Sequence, residues 1–219
     1  MSVPTAFFDV NGTMIKDRVL QDESWKDAIF AVCGAERHKD DFYKILWEFG
    51  PMYFLKEIDA PGETIDMCCD MKRAFYKKRF ENSRPDTVTG LSKYLDYLKS
   101  RNTDMHIVTN VNRTDLEMYF DTFGFDRWFD INTSFYMDRN TKIRPKPFPD
   151  LYLNAMSVLG VSSEDVTVFE DSKEGTKAAL DAGIKRIVNI SEESKIGDFG
   201  RKEIINSVNF EDECLYELF

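Results

Sequence analysis

With 219 residues, the chain is long enough for one sizeable domain, or for one domain with a smaller domain inserted into it. Its 42% hydrophobic and 14% aromatic content indicates a packed core and argues against intrinsic disorder. The formal net charge of −10 disfavours a nucleic-acid binder, which usually has a basic excess, but it allows a local positive site for an anionic small molecule.

The first part of the chain contains one strand followed by helices. Ala6 to Val10 is a short apolar run that predicts a buried strand. No strand-like alternation occurs between residues 17 and 85. Apolar residues there recur at helical spacing in three segments: Glu23 to Cys33, Asp41 to Phe49 and Glu63 to Phe80. The pairs Gly50-Pro51 and Pro61-Gly62 separate these predicted helices.

From Pro85 onward, short apolar strands alternate with amphipathic helices. The predicted strands are Met105 to Thr109, Val166 to Phe169 and Arg186 to Ile190, and the predicted helices are Gly90 to Leu98, Arg113 to Phe123, Phe148 to Leu159 and Lys173 to Ala182. This alternation is typical of a parallel sheet covered by helices on both faces. We therefore predict an α/β fold. Its core is a doubly wound, Rossmann-like sheet formed by residues 1–16 and 86–219, with an inserted all-helical domain of residues 17–85.

The four cysteines, Cys33, Cys68, Cys69 and Cys214, do not have metal-ligand spacing. The N-terminus lacks a basic segment followed by an apolar one, and no apolar run is long enough to span a membrane. We therefore expect a cytoplasmic protein with no membrane partner.

Polar residues lie where predicted strands end or where the next helix begins: Asp9, Thr109, Asn110, Lys146, Glu170 and Asp171. Ligands bind beyond the carboxyl ends of the strands in doubly wound sheets, so these side chains are expected to converge. Three carboxylates placed together repel one another unless a divalent cation lies among them, and oxygen-only ligands favour Mg²⁺. Thr109, nearby backbone amides and Lys146 suit a phosphate group.

Four segments in this order carry a resemblance to a known family: DVNGT, VTN, KPFPDLY and EDSKEGTKAALDAG. The chain resembles the haloacid dehalogenase superfamily, in particular the branch that contains phosphoglycolate phosphatase and β-phosphoglucomutase. That branch carries a helical cap at the place of residues 17–85. The resemblance implies a hydrolase that is a magnesium-dependent phosphatase of a small phosphorylated metabolite. We expect it to be a monomer or a homodimer.

The resemblance also implies the nucleophile and the metal ligands. Asp9 would attack phosphorus and form an aspartyl-phosphate. Asp9 and Asp171 would bind Mg²⁺ through their carboxylates, and Asn11 would bind it through its backbone carbonyl. Glu170 would either bind the ion directly or lie next to its ligands.

The remaining implied roles concern the phosphate and the substrate. Thr109 and the Asn110 amide would hold the transferring phosphoryl group. Lys146 would neutralise that group and pair with Asp9, as phosphoryl transfer requires. Gln21 and Arg113 are weaker candidates for substrate contacts, together with Trp25 and the loop from Gly50 to Lys56.

Asn11 departs from the family pattern, in which the residue two positions after the nucleophile is usually a second aspartate. That aspartate protonates the leaving oxygen and then activates water, and an amide does neither. Loss of general acid–base help costs about 10²- to 10⁴-fold in rate. The expected magnesium contact uses a backbone carbonyl and is unaffected. The site is therefore expected to bind Mg²⁺ and phosphate but to turn over slowly.

Several explanations of Asn11 stay open at this point. The enzyme could act on substrates with good leaving groups, or draw its proton from another source. The chain could instead be a catalytically impaired binding or regulatory protein on the same scaffold, or Asn11 could be an engineered substitution. A sugar phosphomutase is a further alternative, but it is disfavoured because a mutase must move protons on sugar hydroxyls in every cycle.

Overall fold

The chain divides into two units. One consists of Met1–Lys16 and Thr87–Phe219, and the other of Asp17–Asp86. The computed structural model describes residues 3–34, 55, 59–138, 142–191 and 204–219. The predicted helix from Asp41 to Phe49 lies outside these residues, as does the Gly50 to Lys56 loop apart from Leu55.

Six parallel strands form the sheet of the first unit. They are β1 (Thr5–Phe8), β2 (Asp104–Asn112), β3 (Phe135–Met137), β4 (Val166–Glu170), β5 (Arg186–Ile190) and β6 (Ile204–Ser207). Their order in the sheet is β3-β2-β1-β4-β5-β6, and neighbouring strands are parallel throughout. This is the strand order of a doubly wound sheet. The predicted fold class is confirmed.

The sheet register decides which residues meet at its carboxyl edge. Phe8, the last residue of β1, lies level with Ile107 on β2 and with Phe169 on β4. The chain order changes direction across the sheet at β1, because β2 and β4 lie on either side of it. Residues that follow Phe8, Ile107 and Phe169 therefore emerge side by side, at the place where such sheets bind ligands.

Helices of the first unit follow the predicted segments. They are α3 (Leu91–Ser100), α4 (Arg113–Phe123), α5 (Asp150–Leu159) and α6 (Lys173–Asp181). The side chain of Asn112 caps α4 by accepting a hydrogen bond from the Asp115 amide, and α4 ends at Gly124 in the left-handed conformation. These end signals explain why the bounds of α4 were predictable from the sequence.

The short edge strands, β3 and β6, were not predicted. They contain three and four residues, and most of their side chains are partly exposed. Runs this short have no measurable alternation of apolar and polar residues. β1 and β4, by contrast, are buried along their whole length, and Phe8 stacks on Phe169 with ring centroids 4.5 Å apart.

The second unit contains α1 (Arg18–Cys33) and α2 (Gly62–Ser83), which pack against each other. Ile29, Leu55 and Cys68 form its buried apolar cluster. The part of this unit that the structure describes contains no strand. Among the described helices, none combines the length and the apolar character needed to cross a membrane.

Candidate active site

The loop after β1 presents Asp9 at the edge of the sheet. The Asp9 amide donates to the Phe169 carbonyl at 3.0 Å, which continues the pairing with β4 by one residue. The Met14 and Ile15 amides both donate to the Val10 carbonyl, at 2.8 and 3.1 Å, and close the loop into a tight turn. The turn places Asp9 and Asn11 on a rigid support.

Lys146 joins the ends of three neighbouring strands. Its Nζ donates to Asp9 Oδ1 at 2.8 Å and to Glu170 Oε1 at 2.6 Å. A third hydrogen bond, of 2.7 Å, goes to the Val108 carbonyl on β2. The Lys146 side chain is 2% exposed, so these contacts replace its hydration. The predicted pairing of Lys146 with Asp9 is present.

Asn110 holds the backbone of the loop that carries Lys146. Its Oδ1 accepts from the Lys146 amide at 2.9 Å, and its Nδ2 donates to the Lys146 carbonyl at 3.2 Å. The sequence predicted that the Asn110 amide holds phosphate. The Asn110 side chain bonds the Lys146 backbone and so positions Lys146, and the contact of the Asn110 amide with phosphate stays a prediction.

Glu170 is enclosed by hydrogen-bond donors. Oε1 accepts from Lys146 and, at 3.2 Å, from the Tyr152 hydroxyl. Oε2 accepts from the amides of Asp171 and Ser172, at 3.1 and 3.2 Å, and from the Ser172 hydroxyl at 3.0 Å. With both oxygens engaged in this way, Glu170 acts on the site mainly through Lys146.

Burial and charge act in opposite directions on this cluster. Burial raises the pKa of Asp9 to about 6, the Lys146 ammonium opposes that rise, and the Glu170 charge adds to it. Burial lowers the pKa of Lys146, but the charges of Asp9 and Glu170 outweigh burial and hold that pKa well above its ordinary value. Near neutral pH the cluster therefore contains a charged lysine and an Asp9 that is mostly ionised.

Three carboxylates lie close enough to share a cation. Asp9, Glu170 and Asp171 each offer an oxygen within 4.8 Å of the other two. The Thr13 hydroxyl donates to Asp171 Oδ1 at 3.0 Å and orients that side chain. Gly12, at a φ of +78°, leaves the space that Asp171 occupies, since a Cβ at residue 12 would lie 2.0 Å from Asp171 Oδ2. This all-oxygen donor set fits Mg²⁺.

Thr109 interacts with Asp9, and Asn11 follows Asp9 by two residues in the chain. Thr109 is buried on β2, and its hydroxyl is among the groups that lower the pKa of Asp9 by hydrogen bonding. It also accepts from the Val111 amide at 3.3 Å. Asn11 donates from Nδ2 to the Tyr119 hydroxyl at 2.9 Å. The predicted nucleophile, lysine, threonine and acidic residues thus come together at one edge of the sheet.

The weaker substrate candidates have partners of their own. The Arg113 side chain is 47% exposed and donates hydrogen bonds to Glu117 Oε1 at 2.8 Å and to the Tyr136 hydroxyl at 3.1 Å. Gln21 belongs to the second unit, where its Nε2 donates to the buried Asp17 carboxylate at 2.8 Å. Their contact with a substrate stays a prediction.

Five residues around the cluster were not identified from the sequence: Thr13, Tyr119, Tyr152, Ser172 and Gly175. All of these except Tyr119 lie inside the segments DVNGT, KPFPDLY and EDSKEGTKAALDAG. Their proximity to the site could therefore be predicted from the sequence, but their hydrogen-bond partners could not. Tyr119 had only the signal of a helical apolar face, which favours an ordinary core residue.

Comparison with known proteins identifies the family. The model of the haloacid dehalogenase-like hydrolase family matches residues 6–189. The chain belongs to the haloacid dehalogenase-like hydrolases. The family resemblance and the enzyme class predicted from the four segments are confirmed.

Relatives within this hydrolase family include both phosphatases and mutases. A phosphorylated carbohydrates phosphatase from Thermotoga maritima is 32% identical over 194 residues, which cover 84% of this chain and 83% of that protein. A β-phosphoglucomutase from Mycobacterium tuberculosis is 25% identical over 217 residues, which cover 86% and 81%. A solved structure of a family IA, variant 3 hydrolase from Entamoeba histolytica superposes with a TM-score of 0.80 at 25% identity, covering 95% and 94% of the two chains.

Proposed function

We propose that this hydrolase is a magnesium-dependent phosphatase that removes phosphate from a small phosphorylated sugar through an aspartyl-phosphate on Asp9. The observation that carries the proposal is the buried hydrogen bond of 2.8 Å between Lys146 Nζ and Asp9 Oδ1, next to the Asp171 carboxylate. It combines a fixed, ionised carboxylate with positive charge at the carboxyl edge of the sheet. Phosphoryl transfer depends on this combination of positioning and charge neutralisation.

Asp9 is the proposed nucleophile. An oxygen of its carboxylate attacks phosphorus, the bond from phosphorus to the sugar oxygen breaks, and the sugar oxygen takes a proton from solvent. Lys146 holds the carboxylate in one orientation through Oδ1 and disperses the charge that develops on the phosphoryl oxygens. Thr109 and the backbone amide of Asn110 are proposed to hold the remaining phosphoryl oxygens.

The carboxylates of Asp9 and Asp171 and the backbone carbonyl of Asn11 are the proposed Mg²⁺ ligands. A bound Mg²⁺ would neutralise the negative charge that the phosphate brings to these carboxylates. Glu170 is assigned a supporting role, because five donors already surround its two oxygens. It holds Lys146 and so fixes Asp9 indirectly.

Asn11 limits turnover in this proposal. Its amide neither protonates the leaving oxygen nor deprotonates the attacking water, which costs about 10²- to 10⁴-fold relative to an aspartate. Substrates whose leaving groups need little protonation, such as p-nitrophenyl phosphate and acetyl phosphate, are therefore expected to react fastest. The aspartyl-phosphate accumulates because its hydrolysis is impaired as well.

The sugar phosphate class is proposed from the relatives. The Thermotoga maritima protein is named for phosphorylated carbohydrates, and a mutase of phosphoglucose is also related. The inserted helical unit, residues 17–85, is proposed to select the leaving group. A sugar phosphomutase is the second candidate because of the Mycobacterium tuberculosis relative. The Asn11 amide, however, cannot donate or accept the protons that a mutase must transfer.

The test is a phosphatase screen with p-nitrophenyl phosphate, acetyl phosphate and a panel of sugar phosphates in the presence of Mg²⁺. Phosphate release is expected from the chain itself, a higher rate from Asn11→Asp, and none from Asp9→Ala. Asp181→Ala is the matched control, since it removes an aspartate from an exposed ion pair with Lys177.

Other outcomes of the screen would identify a different function. An unchanged magnesium-dependent rate in Asp9→Ala would refute the nucleophile. No phosphate release before or after Asn11→Asp would favour a binding or regulatory protein. Conversion of one sugar phosphate isomer into another, without phosphate release, would favour the mutase.

A further inference from the structure

The contact between Asn11 and Tyr119 is not explained by the roles assigned so far. Asn11 Nδ2 donates to the Tyr119 hydroxyl at 2.9 Å, across 108 residues of sequence. Tyr119 lies on α4 and is 1% exposed, and Leu116 and Phe120 are buried on the same helix. A phenol packed in this way keeps its hydroxyl in one place.

The Asn11 end of the contact is also rigid. Backbone hydrogen bonds from Met14 and Ile15 to the Val10 carbonyl, and from Gly12 to the Ile15 carbonyl, hold the turn that contains it. With both ends supported, the hydrogen bond determines how the Asn11 amide is rotated about its last torsion.

The direction of the hydrogen bond decides what the amide presents elsewhere. A side-chain amide is planar, with its donor nitrogen and its acceptor oxygen on different edges. When Nδ2 donates to Tyr119, Oδ1 lies on the other edge of the group as a pure acceptor. An acceptor of this kind can orient a water molecule without taking its proton, as an amide side chain does for the attacking water in some phosphate-hydrolysing enzymes.

We propose that Tyr119 is a positioning residue that holds the Asn11 amide so that its Oδ1 orients the water that hydrolyses the aspartyl-phosphate. The inference rests on the proposed function and deepens it, because it gives Asn11 a part in the second step. In that step the water oxygen bonds to phosphorus, and the bond from phosphorus to the Asp9 oxygen breaks. Its electron pair returns to the carboxylate, and the water proton passes to solvent or to the released phosphate.

The two chemical steps can be separated with p-nitrophenyl phosphate in stopped-flow experiments on the full chain with Mg²⁺. The burst of p-nitrophenol reports formation of the aspartyl-phosphate, and the later linear phase reports its hydrolysis. Tyr119→Phe removes only the hydroxyl. It is expected to leave the rate and amplitude of the burst unchanged and to slow the linear phase about 3- to 10-fold, the range for one hydrogen bond.

Tyr97→Phe is the matched control. Its hydroxyl donates to the Tyr216 carbonyl at 2.6 Å and to the Phe219 carbonyl at 3.4 Å, so this variant also deletes a partly buried phenol hydroxyl with its contacts. Both phases should be unchanged in it. Hydroxylamine attacks the acyl carbon of the aspartyl-phosphate, releases the phosphate once and leaves a hydroxamate on Asp9. Because this reaction needs no positioned water, phosphorylated Tyr119→Phe should lose its phosphate to hydroxylamine as fast as the phosphorylated unmodified chain does.

Each remaining outcome contradicts the inference. A normal linear phase in Tyr119→Phe would show that the amide needs no support from the phenol. Equal loss of burst and linear phase, with a slower release of phosphate to hydroxylamine as well, would show a merely structural role. Release of p-nitrophenol without a burst would show that hydrolysis of the aspartyl-phosphate is not the slow step and would contradict this inference alone. If the unmodified chain released phosphate from none of the screened substrates, the proposed function would fail first and this inference with it.

Discussion

Replacing Lys146 by methionine keeps an unbranched side chain of similar bulk but removes the terminal ammonium, with its charge and its three hydrogen bonds. Asp9, Glu170 and the Val108 carbonyl then lose a common donor, and the Glu170 side chain is only 1% exposed. Removing one partner of a buried ion pair costs about 3–5 kcal/mol. For a chain of this length, each kcal/mol lowers the midpoint of thermal unfolding by about 2–4 °C, so the expected loss is about 6–20 °C.

The assay is thermal and urea unfolding followed by circular dichroism, with a chelator present because a cation held by Asp9 and Asp171 would mask the effect. Lys177→Met is the control. It removes an exposed lysine that pairs with Asp181 one helical turn away, worth about 0.5 kcal/mol or less. A loss of less than about 1 kcal/mol in Lys146→Met would refute the reasoning that the lysine offsets the repulsion and burial of the two carboxylates.

Three further predictions concern the support of the site and its ion. Gly175→Ala places a Cβ 1.8 Å from Glu170 Oε1 and should destabilise the fold by about 2 kcal/mol in urea unfolding, whereas Gly62→Ala, with no atom within 4 Å, should not. Asn110→Ala deletes both hydrogen bonds to the backbone of Lys146 and should cost about 1–3 kcal/mol. Asn110→Asp, which can still accept from the Lys146 amide, should lose less in the same thermal unfolding experiment. Removal of divalent ions with EDTA should abolish phosphate release and Mg²⁺ should restore it, while a rate unaffected by EDTA would refute the proposed ion.

Local patterns in the sequence determined the fold class and most of the elements. The apolar runs of β1, β2, β4 and β5 and the helical spacing of α3 to α6 are each complete within about ten residues. Capping residues such as Asn112 and Gly124 also act over a few positions, so the bounds of α4 were predictable. β3 and β6 were missed because three or four partly exposed residues carry too little pattern.

Residues of the candidate site were predictable where parallel strands bring their ends to one edge. This rule, together with the four ordered segments, selected Asp9, Thr109, Lys146, Glu170 and Asp171 without any knowledge of distances. It did not show how these groups share partners, because a motif states which residues occur and not which atoms meet.

Tertiary structure alone decided the pairings that control the chemistry. The Asn11 amide meets Tyr119 across 108 residues, and Thr13 meets Asp171 across 158. Such contacts depend on the order and register of the strands and on the face that a helix packs against the sheet. None of these can be predicted from a short stretch of sequence. The sequence by itself determined that a carboxylate cluster with a lysine lies beyond β1 and that residue 11 lacks an acid. The packed structure decided that Glu170 accepts a hydrogen bond from Lys146 and that the side-chain amide of Asn11 bonds the buried Tyr119 hydroxyl.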